Sequence, residues 1–214
     1  LQWDEWAWDE QVQAFPVLEG LFLTKCKLRL IPPGLVSNAR ALKKLVISFV
    51  QQVKLLKNFA SVTELEVTHS PDLERITNLP NLQKLTINKC PKLNVLEVVP
   101  ALQILVLNDY TMEVLPEYMR DIKPRHLRIL CRIWFLSSLA EGQSGPEWDK
   151  FSHVEYVKAY ACDGNNPRKW YVLYTRDNGK LESNISSSTV FEGTENQAYK
   201  LCLNLFEHSD SASL

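Results

Sequence analysis

Glycine is scarce, with seven residues in 214, and none of them cluster. That absence removes the loops that cradle phosphate groups: no G-x-x-x-x-G-K-[ST] and no G-x-G-x-x-G occurs, and neither do H-E-x-x-H or G-x-S-x-G. Charge of one sign is lacking as well, since 24 basic residues face 25 acidic ones for a net charge of −1. Such a balance supplies no field to gather nucleic acid or an anionic membrane, and neither is expected as a partner. Purely apolar runs extend only a few residues, far short of the roughly 20 that span a bilayer, so no membrane span is expected. The four histidines, His69, His126, His153 and His208, stand far apart without a shared acidic neighbour. With no convergent acid, base, nucleophile or metal-binding set, the sequence predicts no catalytic residue, no metal site and no enzyme.

What the chain has in abundance is apolar residues in steps of three, three and two. In "NLPNLQKLTINKCPKL" they fall at Leu79, Leu82, Leu85 and Ile87, a spacing that suits neither a clean helix nor a strictly alternating strand. With Leu82 as position zero, the pattern at minus six, minus three, zero, plus three and plus five recurs through five registers. These are Val12, Phe15, Leu18, Leu21, Leu23; Val36, Ala39, Leu42, Leu45, Ile47; Leu56, Phe59, Val62, Leu65, Val67; Ile76, Leu79, Leu82, Leu85, Ile87; and Leu96, Val99, Leu102, Leu105, Leu107. All are apolar in a chain that is 45% apolar. Chance agreement is on the order of 10⁻⁹ before any discount for the choice of frame.

Two looser registers follow, one with zero set at Leu130 (Leu127, Leu130, Ile133, Phe135) and one at Val154 (Phe151, Val154, Val157, Ala159). The seven zero positions are then 24, 20, 20, 20, 28 and 24 residues apart. The pattern is that of leucine-rich repeats, L-x-x-L-x-L-x-x-N/C, in which each unit stacks on the next and the leucines form one continuous core. The predicted fold is an α/β repeat: a solenoid over 1–162 with a short-stranded parallel sheet on one face and an irregular or 3-10 return side, followed by a cap over 163–214. The opening "LQWDEWAWDEQVQAF" reads as the tail of a preceding unit, its acidic stretch a solvated edge.

Cysteine follows the same frame. Cys26, Cys90 and Cys162 fall at plus eight, where Ser70 stands in the third unit, and are expected to be buried and inert at a corner. Cys131 and Cys202 have no zinc spacing, and five unpaired cysteines favour a reducing compartment. In the cap, "KWYVLYT", "RDNGK" and "LESNI" predict a hairpin with a type I′ turn at Asn178-Gly179. Ala198, Leu201, Cys202, Leu205 and Phe206 predict a covering helix after a Thr194/Gln197 capping box. Asn184-Ile185-Ser186 matches a glycosylation triplet by pattern only.

Outward strand positions supply the candidate site. The plus-two column places Lys44, Glu64 and Lys84 in a ladder of alternating sign that satisfies itself. Ile104, Val106, Trp134, Leu136, Tyr156 and Tyr160 gather instead at the C-terminal units as an apolar and aromatic patch, the expected protein-binding surface. The competing expectation is that the insertion 137–150 or the cap folds over it.

In "FPVLEGLFLTKCKLRLIPPGL", "LPNLQKLTINKCPKL", "VLPEYMRDIKPRHLRIL" and "RKWYVLYTRD" the chain resembles the C-terminal repeat domain of plant nucleotide-binding leucine-rich-repeat immune receptors, the coiled-coil class of grasses in particular. The resemblance implies an intracellular sensor, cytoplasmic and with a nuclear location also open. It implies binding of a pathogen effector or a guarded host protein, and restraint of an ADP/ATP-dependent switch domain in the same receptor. That nucleotide belongs to an upstream domain, so no cofactor is expected here. A leucine-rich-repeat adaptor, such as the substrate-recognition arm of a ubiquitin ligase, is the alternative.

Overall fold

A computed structural model of the protein describes residues 17–32, 35–36, 39–161 and 170–185. The expectations for Val12 and Phe15, the acidic opening stretch, Cys162, Cys202 and the C-terminal helix lie outside the described residues. The chain divides into two compact units. Unit 1 contains the residues up to Asn108 together with Pro116–Arg125, and unit 2 contains Asp109–Leu115 and the residues from His126 onward.

Unit 1 is a solenoid of parallel strands. β1 (Gly20–Thr24), β2 (Lys44–Ser48), β4 (Glu64–Thr68), β6 (Lys84–Asn88) and β8 (Ile104–Asn108) lie side by side. Their register is that of the repeat: Leu21 pairs with Leu45, Leu45 with Leu65, Leu65 with Leu85 and Leu85 with Leu105. The plus-five residues Leu23, Ile47, Val67, Ile87 and Leu107 form a second aligned column. Five-residue strands alone bury too little to be stable, so stability comes from stacking, and from Leu42 onward the inward residues at zero, plus three and plus five are buried.

The return side differs from the irregular or 3-10 path expected for it. In the middle units, β3 (Leu55–Lys57), β5 (Arg75–Thr77) and β7 (Val95–Glu97) form a second parallel sheet. The minus-six residues Leu56, Ile76 and Leu96 pair across it and point inward. With 20 residues per unit, the return path has the same repeat as the strand path, so its backbone groups meet their equivalents one unit on. Among the described residues 3-10 turns occur outside these 20-residue units, at Glu117–Arg120 and Gly142–Ser144.

Corners are made by residues with positive φ. Lys25, Phe49, His69 and Lys89 occupy this conformation at plus seven, and each donates its N–H to the carbonyl at the end of the next strand. One residue on, Cys90 Sγ lies 3.5 Å from Asn88 O and Ser70 Oγ 3.4 Å from Thr68 O, and both side chains are buried. At Ser70 and Cys90 the plus-eight position therefore holds a small polar group bonded to corner backbone, whereas Val50 and Tyr110 fill it in the second and fifth units. Among the described residues Cys26, Cys90 and Cys131 are free thiols; Cys26 is half-buried rather than buried as expected, and partial burial there and full burial at Cys131 push both thiols up from the usual range. On the surface, Asp72 accepts from Gln52 N–H and from Lys92, each at 3.0 Å, and these bonds hold its carboxyl below the usual carboxylate range.

A second positive-φ column stands on the return side at Asn58, Asn78 and Val98, with φ of 65°, 58° and 54°. Asn78 Nδ2 donates to Asn58 Oδ1 at 2.8 Å. Asparagine tolerates this conformation; a β-branched residue does so at a cost. Val98 is 59% exposed, so little packing offsets the strain. Val98→Asn is expected to stabilise the protein by about 1 kcal/mol. Urea denaturation is the check, and an unchanged midpoint would show that Val98 is not strained.

Unit 2 begins with β9 (His126–Cys131), which pairs in parallel with β10 (Tyr156–Ala161). Between them lie α1 (Ile133–Ala140) and α2 (Trp148–Phe151). β11 (Trp170–Thr175) and β12 (Lys180–Ser183) then extend the sheet in antiparallel fashion as the expected hairpin. Its turn is not type I′, which needs positive φ at both central residues. Only Gly179 has it, at 62°; the turn runs Arg176–Gly179, closed by Gly179 N–H donating to Arg176 O, and Asn178 Oδ1 accepts from Lys180 N–H.

Candidate interaction surface

The outward positions of unit 1 are largely self-satisfied. Lys44, Glu64 and Lys84 are neighbours in register, with Lys44 Nζ 3.8 Å from Glu64. At the strand ends a ladder runs from Asn108 Nδ2 to Asn88 Oδ1 (2.7 Å) and from Asn88 Nδ2 to Thr68 Oγ1 (3.0 Å), with both asparagines buried. Ile104 is half-buried and Val106 is buried, so Val106 presents little to solvent. Phe22, on the same face of β1, is 62% exposed, and its ring lies over Gly20, where a Cβ would come within 3.2 Å of it.

In unit 2 the structure corrects the sixth register. Leu127 pairs with Val157, a plus-three residue, so position zero is the buried Pro124 rather than Leu130. Trp134 and Leu136 are therefore not outward strand residues. Both lie on α1, which packs against β10 and β11. Leu136 is fully buried there, with Phe135 and Leu139, while Trp134 remains partly exposed and meets Phe135 edge-on.

Tyr156 and Tyr160 do lie on the outward face of β10 and are half-buried. The shifted register gives them neighbours that the sequence reading did not find. His126 stands beside Tyr156, their rings stacked 5.0 Å apart at 15°. Arg128 stands beside Lys158, and Tyr160 is flanked by Leu130 on one side and Tyr171 on the other. The signal for these neighbours was the Val157 register itself: once β9 is aligned to it, His126 and Arg128 fall at plus two and plus four.

The insertion 137–150 does not lie over this face. Alternation along β10 and β11 sends Val157, Ala159, Val172 and Tyr174 to the opposite face, and all four are buried. Trp148 and Phe151 of α2 meet Tyr174 edge-on there, at 5.2 and 5.8 Å. The insertion thus forms the core layer on the inner side of the sheet.

A buried ion pair holds that layer together. Glu147 and Lys150 are 4% and 6% exposed at their side chains and 3.6 Å apart. Glu147 Oε2 accepts from Leu115 N–H at 2.7 Å, and Lys150 Nζ donates to Leu115 O at 2.8 Å. Together the two charges satisfy both backbone groups of one buried residue.

Among the described residues no group of three His, Cys, Asp or Glu side chains is placed to hold a metal ion. No helix among them is long and apolar enough to cross a membrane. No protein-family model, no curated protein and no solved structure matches the chain.

Proposed function

We propose that the chain is a protein-recognition domain that performs no chemistry of its own, and that its repeats are leucine-rich repeats of a plant nucleotide-binding immune receptor. In this reading an outward sheet face contacts a pathogen effector or a guarded host protein in the cytoplasm, with a nuclear location also open. Contact then releases a nucleotide switch elsewhere in the receptor. Such coupling requires the partner to bind the resting and active states with different affinity.

The observation that carries the reading is the alignment of Leu21, Leu45, Leu65, Leu85 and Leu105 across five parallel strands, at a period of 24 or 20 residues. A core built this way turns alternate strand side chains outward, where they can serve recognition. The aromatic and basic face of β9–β11 supports recognition of protein, since rings and cations of this kind favour contact sites.

The coding sequence upstream of Leu1 tests it. A P-loop motif, G-x-x-x-x-G-K-[ST], in the preceding domain is the expected result. An F-box-like helical segment would instead make the chain a ubiquitin-ligase adaptor, and an upstream region with neither would overturn the receptor assignment.

A further inference from the structure

The return sheet of unit 1 has two edges, and they end differently. At one edge the 3-10 turn Glu117–Arg120 packs against β7, with Tyr118 and Met119 buried. At the other edge stands β3. Lys54 O accepts from Arg75 N–H at 3.0 Å and Asn58 N–H donates to Thr77 O at 3.3 Å, so these residues, with Leu56 between them, turn their backbone groups toward β5. Alternation sends the N–H and C=O groups of Leu55 and Lys57 the opposite way. Among the described residues no hydrogen bond reaches them from that side.

The preceding repeat supplies no strand to meet them. In the repeat frame Leu35 and Val36 stand where Leu55 and Leu56 stand one repeat on, but they follow Pro32 into a helical turn. Their N–H groups go to Pro32 O, at 3.1 and 3.3 Å, and Pro32 itself has no N–H to give. An apolar groove of about 150 Å³ remains between this turn and β3, lined chiefly by Leu30, Ile31, Val36, Leu55 and Phe59. Leu30 is more than half exposed there.

We propose that the β3 edge and this groove receive an extended segment of a partner protein, which adds a fourth strand to the return sheet and seats one large apolar side chain in the groove. An unpaired edge is a template for strand addition. The groups of Leu55 and Lys57 repeat at roughly 7 Å, a spacing that the alternate residues of an extended backbone match and a small molecule does not. The groove narrows the choice of segment. A space of its volume takes one ring-sized apolar group, and a charged side chain placed there would lose its water without gaining a partner. The site lies on the return side, apart from the outward face of β9–β11, so it stands or falls separately from that face and from the receptor assignment.

The test is an NMR titration of the isotope-labelled chain with the peptide Ser-Thr-Thr-Phe-Thr-Thr-Ser. The Leu55 and Lys57 amides are expected to exchange freely with solvent in the chain alone, and at least roughly tenfold more slowly once the peptide is bound. The same peptide N-methylated on both sides of its Phe is expected to bind at least roughly tenfold more weakly, for want of its backbone donors. A peptide with Ser in place of Phe is expected to lose as much. Leu30→Glu, at an exposed position, is expected to abolish binding with an unchanged thermal midpoint. Lys57→Pro removes only an N–H that lies outside the ladder and is expected to do the same. Equal binding of the N-methylated peptide would overturn the proposal and leave an apolar pocket without strand addition. So would the absence of any response at Leu55 and Lys57. Slow exchange of these two amides in the peptide-free chain would also overturn it: protection lost on dilution would make the occupant a second copy, and protection that persists would make it a segment of the chain itself. A missing upstream P-loop would remove the receptor assignment and leave this titration untouched.

Discussion

Lys150→Met is expected to destabilise the protein by about 3–5 kcal/mol, the cost of leaving one member of a buried ion pair without its partner. The length of the side chain is nearly conserved, so cavity formation contributes little. What is lost is the cation opposite Glu147 and the donor to Leu115 O, both in a space closed to water. Glu147 then still accepts from Leu115 N–H but has no cation opposite it. Urea denaturation followed by circular dichroism measures the effect. A loss below about 1 kcal/mol, typical of an exposed pair, would mean that water reaches the site. Replacing both residues with apolar ones is not expected to restore stability, because Leu115 would keep two unpaired backbone groups.

Leu85→Ala is the second large effect, expected to cost about 2–5 kcal/mol. Leu85 is fully buried and occupies the middle of its column, between Leu65 and Leu105. The space of the three carbons removed, one methine and two methyls, cannot be filled by inward collapse, because the strands on both sides are fixed by ladder hydrogen bonds. In a stacked array each unit is stabilised mainly by its neighbours, so a cavity in the middle weakens two interfaces at once. The same substitution at Leu21, which is half-buried at the end of the column, is expected to cost clearly less. Equal losses at the two positions, read from denaturation midpoints, would contradict a neighbour-coupled stack.

Much of unit 1 was legible because its packing is periodic. Steps of three, three and two fix which side chains enter the core, and the parallel register then follows from the requirement that like positions stack. The return sheet was harder to read. Its strands are three residues long and contribute a single inward residue each, Leu56, Ile76 and Leu96, too few for an alternating pattern to show. The asparagines at Asn58 and Asn78 were a signal for positive φ, and Val98 broke it.

Unit 2 was misread for a definite reason. In "HLRILCRIWFL" apolar residues recur three apart, so registers beginning at Pro124 and at Leu130 both place leucine or isoleucine inward. The register beginning at Pro124 wins because a strand over His126–Cys131 leaves Ile133–Ala140 free to fold as a helix that buries Phe135, Leu136 and Leu139. Position zero then moves to 22 residues after Leu102 and 30 before Val154, and the longer unit is the one that contains α1. Trp134 and Leu136 left the candidate patch with that shift, while His126 and Arg128 entered it. The Glu147–Lys150 pair had no readable signature, since charges in "PEWDK" resemble any solvated turn.

In the middle of unit 1, front strands and return strands repeat with one common step of 20 residues and pair with their own equivalents on both sides. One such segment is thus interchangeable with the next as far as the backbone is concerned. Loss or duplication of a whole segment rejoins compatible ends, whereas a shift by a single residue severs both ladders together. Unequal recombination between such segments would therefore exchange outward side chains in blocks without redesigning what holds the solenoid up.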